Sequence, residues 1–500
     1  MSEQGGIAWK ADSEDARQVS FSQSVDPRTT RPFGPRIWDT TPEDLSCILD
    51  LSGASRVVWA VLSPLARAAA LSTVADALDA SSNLLVELAD RETALGTTRL
   101  SVELARSTYQ LRMFASALRN GQLNPVELDR AAEGQPPAGH PEIRRIYVPL
   151  GVAAVFGASN FPFAFGACGG DVASGLAAGC CVVVKAHPSH PQTSQATADT
   201  IVRALASAGM PAGVYSLVFG VDAGRRLIQD DRVDVASFTG SPQGGLALWR
   251  LANERDRPIP FFGELGSVNP VVATPSGITH IQEFVSDYLD SLTLGAGQLC
   301  TNPGLLLVPR GLGVLEQVAS QLQQRDVGPL LNENVLRRLE QHVAELLTIP
   351  NSEVVAAGRE ALGWHFPPTV ITAPIEEAVQ HLAILATECF GPVGLVVEYG
   401  ELTEVREVIS GMPGCLVGSL FASEEDDVSA LVTLLAKVAG RVAWRQWPTG
   451  VAVTPSQHHG GPYPASTDSR QTSVGLHSVE RFRRPLVLQG FPDVAALSVG

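Results

Sequence analysis

The sequence predicts an α/β protein with two parallel-sheet regions and extended arms, and three observations carry that prediction. Short apolar runs alternate with helix-length runs from residue 151 to 254, the texture of parallel strands covered on both faces. A second α/β series begins near IPFFGELGSVNPVVA, 259–273. Five hundred residues exceed what one hydrophobic core usually organises.

The elements follow in order. Residues 42–60 and 62–130 read mostly as helices. In SPLARAAALSTVADALDASSNLLVELADRETALG apolar residues recur at helical spacing, with Ser63 and Pro64 suited to a start. AAEGQPPAGHPEI (131–143) is a Pro/Gly break, and RRIYVPLG after it is strand-like. GVAAVFG, CCVVVKA, VYSLVFG and VDVASF are strands. Between and after them GDVASGLAAG, HPQTSQATADTIVRALASAG, GRRLIQDDR and PQGGLALWRLANE are helices. Ligands in such sheets bind at the carboxyl ends of the strands. In the second region a helix at 281–294 precedes Cys300, GLLLVP (304–309) and GPVGLVVEY (391–399) are strands, and SVGLHSVERFRRPLVLQG (473–490) is an extended arm.

Composition excludes several classes. With 45% hydrophobic and 18% charged residues the chain suits a globular fold with large cores, not disorder. A net charge of −16 disfavours nucleic acid or an anionic membrane as main partner, while a local basic pocket for a phosphorylated cofactor stays open. The seven cysteines are irregularly spaced without a CxxC, which argues against a disulfide framework or structural zinc and for a reducing cytoplasm. The N-terminal MSEQGGIAWKADSEDARQ resembles neither a signal nor a transit peptide. VPLGVAAVFGASNFPFAFGACGG (148–170) carries no charge and could span a bilayer by length. Its glycines and prolines predict instead a buried strand, a turn and a helix start.

Five groups can carry chemistry. Lys185 closes a strand; it is either a solvated strand-end lysine or a cation for ribose hydroxyls or phosphate. Three positions on stands Pro188, where a carboxylate would repel a 2′-phosphate, so a 2′-phosphate is acceptable. In SFTGSPQGG, Gly240 ends a strand, Ser241 is an N-cap, Pro242 suits the first helical position, and Gly244 and Gly245 permit close backbone approach. The turn fits an anion or a plain strand–helix connection. Glu264, after an aromatic run, suggests a desolvated carboxyl group whose pKa burial would raise toward that of a general base; the alternative is a turn glutamate in solvent. Cys300 has polar neighbours Gln298, Thr301 and Asn302, and both a nucleophilic and a structural reading stand; Cys168, Cys180, Cys181 and Cys415 read as core. Asn160, an amide amid aromatics, satisfies a turn or stabilises an oxyanion. HH and HP give no metal-ligand spacing, and there is no HExxH, so no metal site is expected.

Together FGASNFPFAF, VVVKAHPSHP, FTGSPQGG, GELGSVNP with GQLCTNPG, and ECFGPVG resemble the aldehyde dehydrogenase superfamily, in order and over most of the chain. Glu264 and Cys300 lie 36 residues apart, close to the family's separation. The resemblance implies Cys300 as nucleophile, Asn160 with the Cys300 N–H as oxyanion donors, and Glu264 as the base that activates water. It implies Glu388 on the nicotinamide ribose, Phe390 beside the nicotinamide, and Lys185, His187, Gly240, Ser241 and Gly245 at the cofactor. KAHPSHP, GASNFPFAFGACGGD, QLCTNPG and HGGPYPAST look most like the branch of α-ketoglutaric semialdehyde (2,5-dioxovalerate) dehydrogenases and NADP-dependent fatty aldehyde dehydrogenase, where His459 matches a histidine near the active site.

The implied fold is a modified Rossmann dinucleotide-binding domain (1–130 and 151–262), a catalytic α/β domain (263–455) and a bridging, oligomerisation arm (131–150 and 470–500). The implied cofactor is NADP, with NAD possible, and the implied state a cytoplasmic homodimer or homotetramer. The substrate expectation is 2,5-dioxopentanoate; a long aliphatic aldehyde would instead need an apolar funnel from Phe161, Phe163 and Phe165. A cysteine hydrolase using Cys300 with His459, and a non-catalytic binding protein, are the alternatives of other classes. The glycines around Cys300 read as room for aldehyde and nicotinamide to approach the sulfur.

Overall fold

The computed structural model describes residues 20–491; the N-terminal stretch read above and positions 492–500 of the expected arm lie outside the described residues. It begins with a hairpin of β1 (Phe21–Asp26) and β2 (Arg31–Trp38), absent from the sequence-based expectation. Prolines and charges fill β2 and most of it is exposed, so it lacks the buried alternation that announces a strand. Helices α1 (Pro42–Ala60), α2 (Pro64–Ala80), α3 (Ser82–Thr93) and α4 (Thr97–Arg119) follow. Thr41 and Ser63 cap α1 and α2 by accepting the Asp44 and Ala66 N–H groups, with proline first in each helix. Their apolar faces close over Trp59, Leu71, Leu78 and Phe114. Buried Arg67 donates to the Ala60, Leu62 and Ala177 carbonyls, meeting acceptors that helix ends leave free.

After β3 (Glu127–Asp129) and β4 (Ile143–Pro149) comes the first parallel sheet: β5 (Val152–Phe156), β6 (Cys181–Lys185), β7 (Tyr215–Val218), β8 (Val235–Gly240) and β9 (Phe261–Leu265). The order is β7-β6-β5-β8-β9, every pair parallel. Helices α5 (Gly170–Ala178), α6 (Pro191–Ser207), α7 (Val221–Gln229) and α8 (Pro242–Asn253) make the crossovers. The chain winds outward from β5 to β7, then returns to place β8 on the other side of β5. That reversal opens a crevice at the carboxyl ends of β5 and β8, where ligands bind in open α/β sheets. The charge-free stretch 148–170 forms β5, a turn and the start of α5, and no described helix is long and apolar enough to cross a membrane.

The second sheet holds β10 (Pro270–Ala273), β11 (Leu305–Pro309), β12 (Glu353–Ala357), β13 (Thr369–Thr372), β14 (Val393–Tyr399), β15 (Cys415–Phe421) and β16 (Ala439–Trp444). Its order is β12-β13-β14-β11-β10-β15-β16, parallel except at the edge strand β12, and α9 (Ile281–Thr293) follows β10. The stretch 259–273 is therefore divided. β9 completes the first sheet to Leu265, beyond the expected boundary at 262, and β10 opens the second. Finally β17 (Arg483–Gln489) pairs antiparallel with β4, which also pairs with β3.

Candidate active site

Two sheet edges face each other across the site. On the first, Asn160 follows β5, Lys185 ends β6, Gly240 ends β8 and Glu264 lies near the end of β9. On the second, Cys300 and Glu388 precede the neighbouring strands β11 and β14.

The Cys300 loop is held from several sides. Gly295, Ala296 and Gly297 form a left-handed turn after α9, with φ of 61°, 55° and 68°. A Cβ on Gly297 would stand 2.1 Å from the Gly391 carbonyl oxygen, and one on Gly295 would stand 2.5 Å from Arg99 Nη1. These glycines thus serve backbone conformation and close packing, not open space for ligands. Asn269 donates to the Cys300 and Asn302 carbonyls at 2.8 and 3.0 Å while accepting the Val417 N–H, tying the loop to β15. The Asn160 amide donates to the Gln298 carbonyl at 2.8 Å, beside the loop. An amide carries two N–H donors, so one remains for an oxyanion. The Asn160 backbone is itself held by Arg99, which donates to its carbonyl at 2.7 Å.

Cys300 is half-buried, and its Sγ lies 3.8 Å from His459 Nε2. That nitrogen lies 2.7 Å from Glu264 Oε1, an ion-pair distance without a well-aligned ring hydrogen bond. The Ser473 hydroxyl donates to the other Glu264 oxygen. Sulfur, imidazole and carboxylate donor atoms all fall within 4.8 Å, from three segments whose spacing shows no such cluster.

Electrostatics correct one expectation. Burial does push the Glu264 carboxyl up, but the charge and contact of His459 and the Ser473 hydrogen bond outweigh it and hold Glu264 below its ordinary value. Glu264 is ionised without burial having to tune it. Cys300 goes the other way: burial, then the charges of Glu264 and Glu388, push its thiol well above the usual range. It rests as a thiol and needs a proton acceptor, and His459 is within reach. Removing the Ser473 hydroxyl leaves a buried carboxylate oxygen with one partner fewer, which favours the protonated form. In Ser473→Ala the acid limb of the pH–rate profile therefore moves to higher pH, read directly from kcat against pH.

The residues expected at the cofactor come from the strand ends of the first sheet and from the segment before β14 in the second. Burial lowers the Lys185 ammonium to about 8 against the opposing pull of Asp39, and it has no carboxylate at ion-pair distance among the described residues. The Glu388 carboxyl, pushed up to about 8 by burial, leaves Oε1 without a hydrogen-bond partner. A Cβ on Gly266 would stand 1.8 Å from Glu388 Oε2. An unmet buried carboxyl oxygen and an unpaired lysine at a strand-end crevice fit the hydroxyls and phosphates of a dinucleotide. Ser241 caps α8 by accepting the Gly244 N–H at 3.3 Å. Gly245 packs closely: a Cβ there would stand 2.3 Å from Leu265 Cδ2, so its absence lets α8 lie on β9. The His187 ring lies 5.6 Å from His190 and its Nδ1 accepts the Ser189 N–H. Phe390 is half-buried next to Glu388.

Phe161 and Phe165 meet edge to face at 5.5 Å, and Phe165 lies 6.3 Å from His459. Phe163 does not join them; it is fully buried in the helical core. Sequence reasoning missed Ser473, Asn269 and the charged face of α4. Asn269 was visible as the asparagine of GSVNP. Arg99, Glu103 and Arg106 share one face by their spacing of four and three.

A model of the aldehyde dehydrogenase family matches residues 15–481. Alpha-ketoglutaric semialdehyde dehydrogenase 2 of Azospirillum brasilense is 39% identical over 442 residues, 86% of this chain and 83% of that protein. The alpha-ketoglutaric semialdehyde dehydrogenase of Acinetobacter baylyi is 36% identical over 435 residues, with the same two shares of 86% and 83%. Among solved structures, lactaldehyde dehydrogenase from Escherichia coli superposes with a TM-score of 0.81 at 22% identity, covering 95% of this chain and 96% of that one. The chain belongs to the aldehyde dehydrogenase family.

Proposed function

We propose that the protein oxidises an aldehyde to a carboxylic acid through a thioester on Cys300, and that its substrate is 2,5-dioxopentanoate, giving 2-oxoglutarate. The observation that carries this is the contact chain from Cys300 Sγ through His459 Nε2 to Glu264 Oε1, at 3.8 and 2.7 Å. In its neutral form His459 takes the thiol proton as sulfur adds to the carbonyl carbon, and Glu264 stabilises the imidazolium so formed. The free N–H of Asn160 and the Cys300 backbone N–H hold the oxyanion; one such donor is worth about 10²–10³ in rate. A bound nicotinamide supplies the acceptor for the hydride of the aldehyde carbon. Glu264 then takes a proton from the water that opens the thioester, releasing acid and free thiol.

The cofactor would be held by Lys185, the Ser241 turn and Glu388. NADP is the preferred form in this reading, because Pro188 leaves no carboxylate to repel a 2′-phosphate. The substrate assignment is supported by the two relatives named for α-ketoglutaric semialdehyde. A cytoplasmic homodimer or homotetramer completes the reading, with β17 at the outer edge of the small antiparallel sheet available to extend a partner's sheet. A thiol hydrolase would use the same relay, and the cofactor crevice separates the two: aldehyde must be consumed one for one with nicotinamide reduced.

The test compares kcat/KM for 2,5-dioxopentanoate, glutarate semialdehyde and a long-chain aldehyde with NADP and NAD. The expected result is a preference of at least about tenfold for 2,5-dioxopentanoate and for NADP. A long-chain aldehyde that outruns both semialdehydes contradicts the substrate assignment. Failure of every aldehyde to reduce nicotinamide with either cofactor contradicts the oxidation itself.

A further inference from the structure

We propose that Arg106 receives the distal carboxylate of the substrate and thereby makes the enzyme select anionic semialdehydes over uncharged aldehydes. This rests on the oxidation and substrate proposed above and names the residue that would enforce that choice.

Arg106 lies on α4, seven residues after Arg99 and three after Glu103. Its Nε and Nη2 are buried and have no hydrogen-bond partner, and among the described residues it forms no ion pair. A guanidinium has five donors in a planar fork, and leaving them unmet in a desolvated place is costly unless something anionic arrives. Each neighbouring cation already donates to a backbone carbonyl, although Arg99 also keeps its Nη1 buried without a partner. Arg99 donates to the Asn160 carbonyl, and Arg441 donates to the Pro448 and Gly450 carbonyls. Glu103, the acid on the same helical face, uses one oxygen to accept the Phe163 and Ala164 N–H groups and makes no ion pair with Arg106.

The position is catalytic rather than cofactor-side. The Arg106 guanidinium lies 5.7 Å from the Phe165 ring centroid, Phe165 is 6.3 Å from His459, and His459 is 3.8 Å from Cys300 Sγ. Burial lowers the Arg106 pKa, opposed by the negative charge that Glu103, Cys300 and Glu264 carry when ionised. An α-keto acid that ends in an aldehyde carries one permanent charge, at the end away from the reaction. A carboxylate there can take the two unmet donors of Arg106 as a bidentate pair while the aldehyde carbon addresses Cys300.

The test measures kcat/KM for 2,5-dioxopentanoate and for pentanal, an uncharged five-carbon aldehyde, in wild type, Arg106→Met and Arg106→Lys. The expected result in R106M is that the preference for the anionic aldehyde falls about 10- to 100-fold, mainly through KM. R106K regains part of it, because the charge returns without the fork. The Tm of R106M stays level or rises, since an unpaired buried charge has been removed. An equal fall for both aldehydes would place Arg106 on the Cys300 thiolate and overturn the assignment. So would a lowered Tm with an unchanged preference, which is the signature of a packing role. A wild type with no preference for the anion overturns the substrate reading together with this one, whereas a preference kept in R106M overturns this one alone.

Discussion

Cys300→Ala is expected to lose aldehyde oxidation by about 10⁴-fold or more, because removal of a covalent nucleophile leaves only binding and the oxyanion donors to act. The side chain is small and half-buried, and the loop is held by Asn269, Asn302 and Gln298 rather than by sulfur. The variant therefore keeps its fold and its nicotinamide dinucleotide affinity, measured by fluorescence titration. Loss of both activity and cofactor binding would assign Cys300 to structure. Full retention of aldehyde-dependent nicotinamide reduction would remove it from the chemistry.

Glu264→Gln is expected to separate the two halves of the reaction. The amide keeps the shape of the carboxylate but cannot take a proton from water, so thioester hydrolysis slows by about 10²–10⁴-fold. It also deprives His459 of its counter-charge at 2.7 Å, which slows thiol deprotonation to a lesser degree. The result in a stopped-flow trace is a burst of nicotinamide reduction approaching one per chain, followed by a slow steady state. A uniform slow phase without a burst would place Glu264 before the hydride step only.

The parallel architecture was legible in the sequence because β5, β6 and β8 are short apolar runs and their crossover helices carry helical spacing. Cys300, Glu264, Asn160 and Glu388 each stand in a motif that the eye can isolate. Partnership was not legible. Ser473 meets Glu264 across 209 residues, from a loop without periodicity, so the direction of the Glu264 pKa could not be inferred from the aromatic run before it. Burial shows in local composition, but the counter-charge that outweighs it does not. Gly295 and Gly297 looked like space for a ligand because a glycine reports only a missing side chain; what comes close instead is set by tertiary packing. Arg106 reads as one more charge on an amphipathic helix until its neighbours are known.

The central claim is a covalent acyl group on Cys300, and it can be weighed directly. Glu264→Gln protein is mixed with 2,5-dioxopentanoate and NADP, quenched in acid during the burst, digested and analysed by mass spectrometry. The account predicts that the peptide containing Cys300 carries the mass of the acyl group, in amount equal to the reduced nicotinamide formed. Reduced nicotinamide without acyl on that peptide, or acyl found on Cys47 or Cys389 instead, would contradict it.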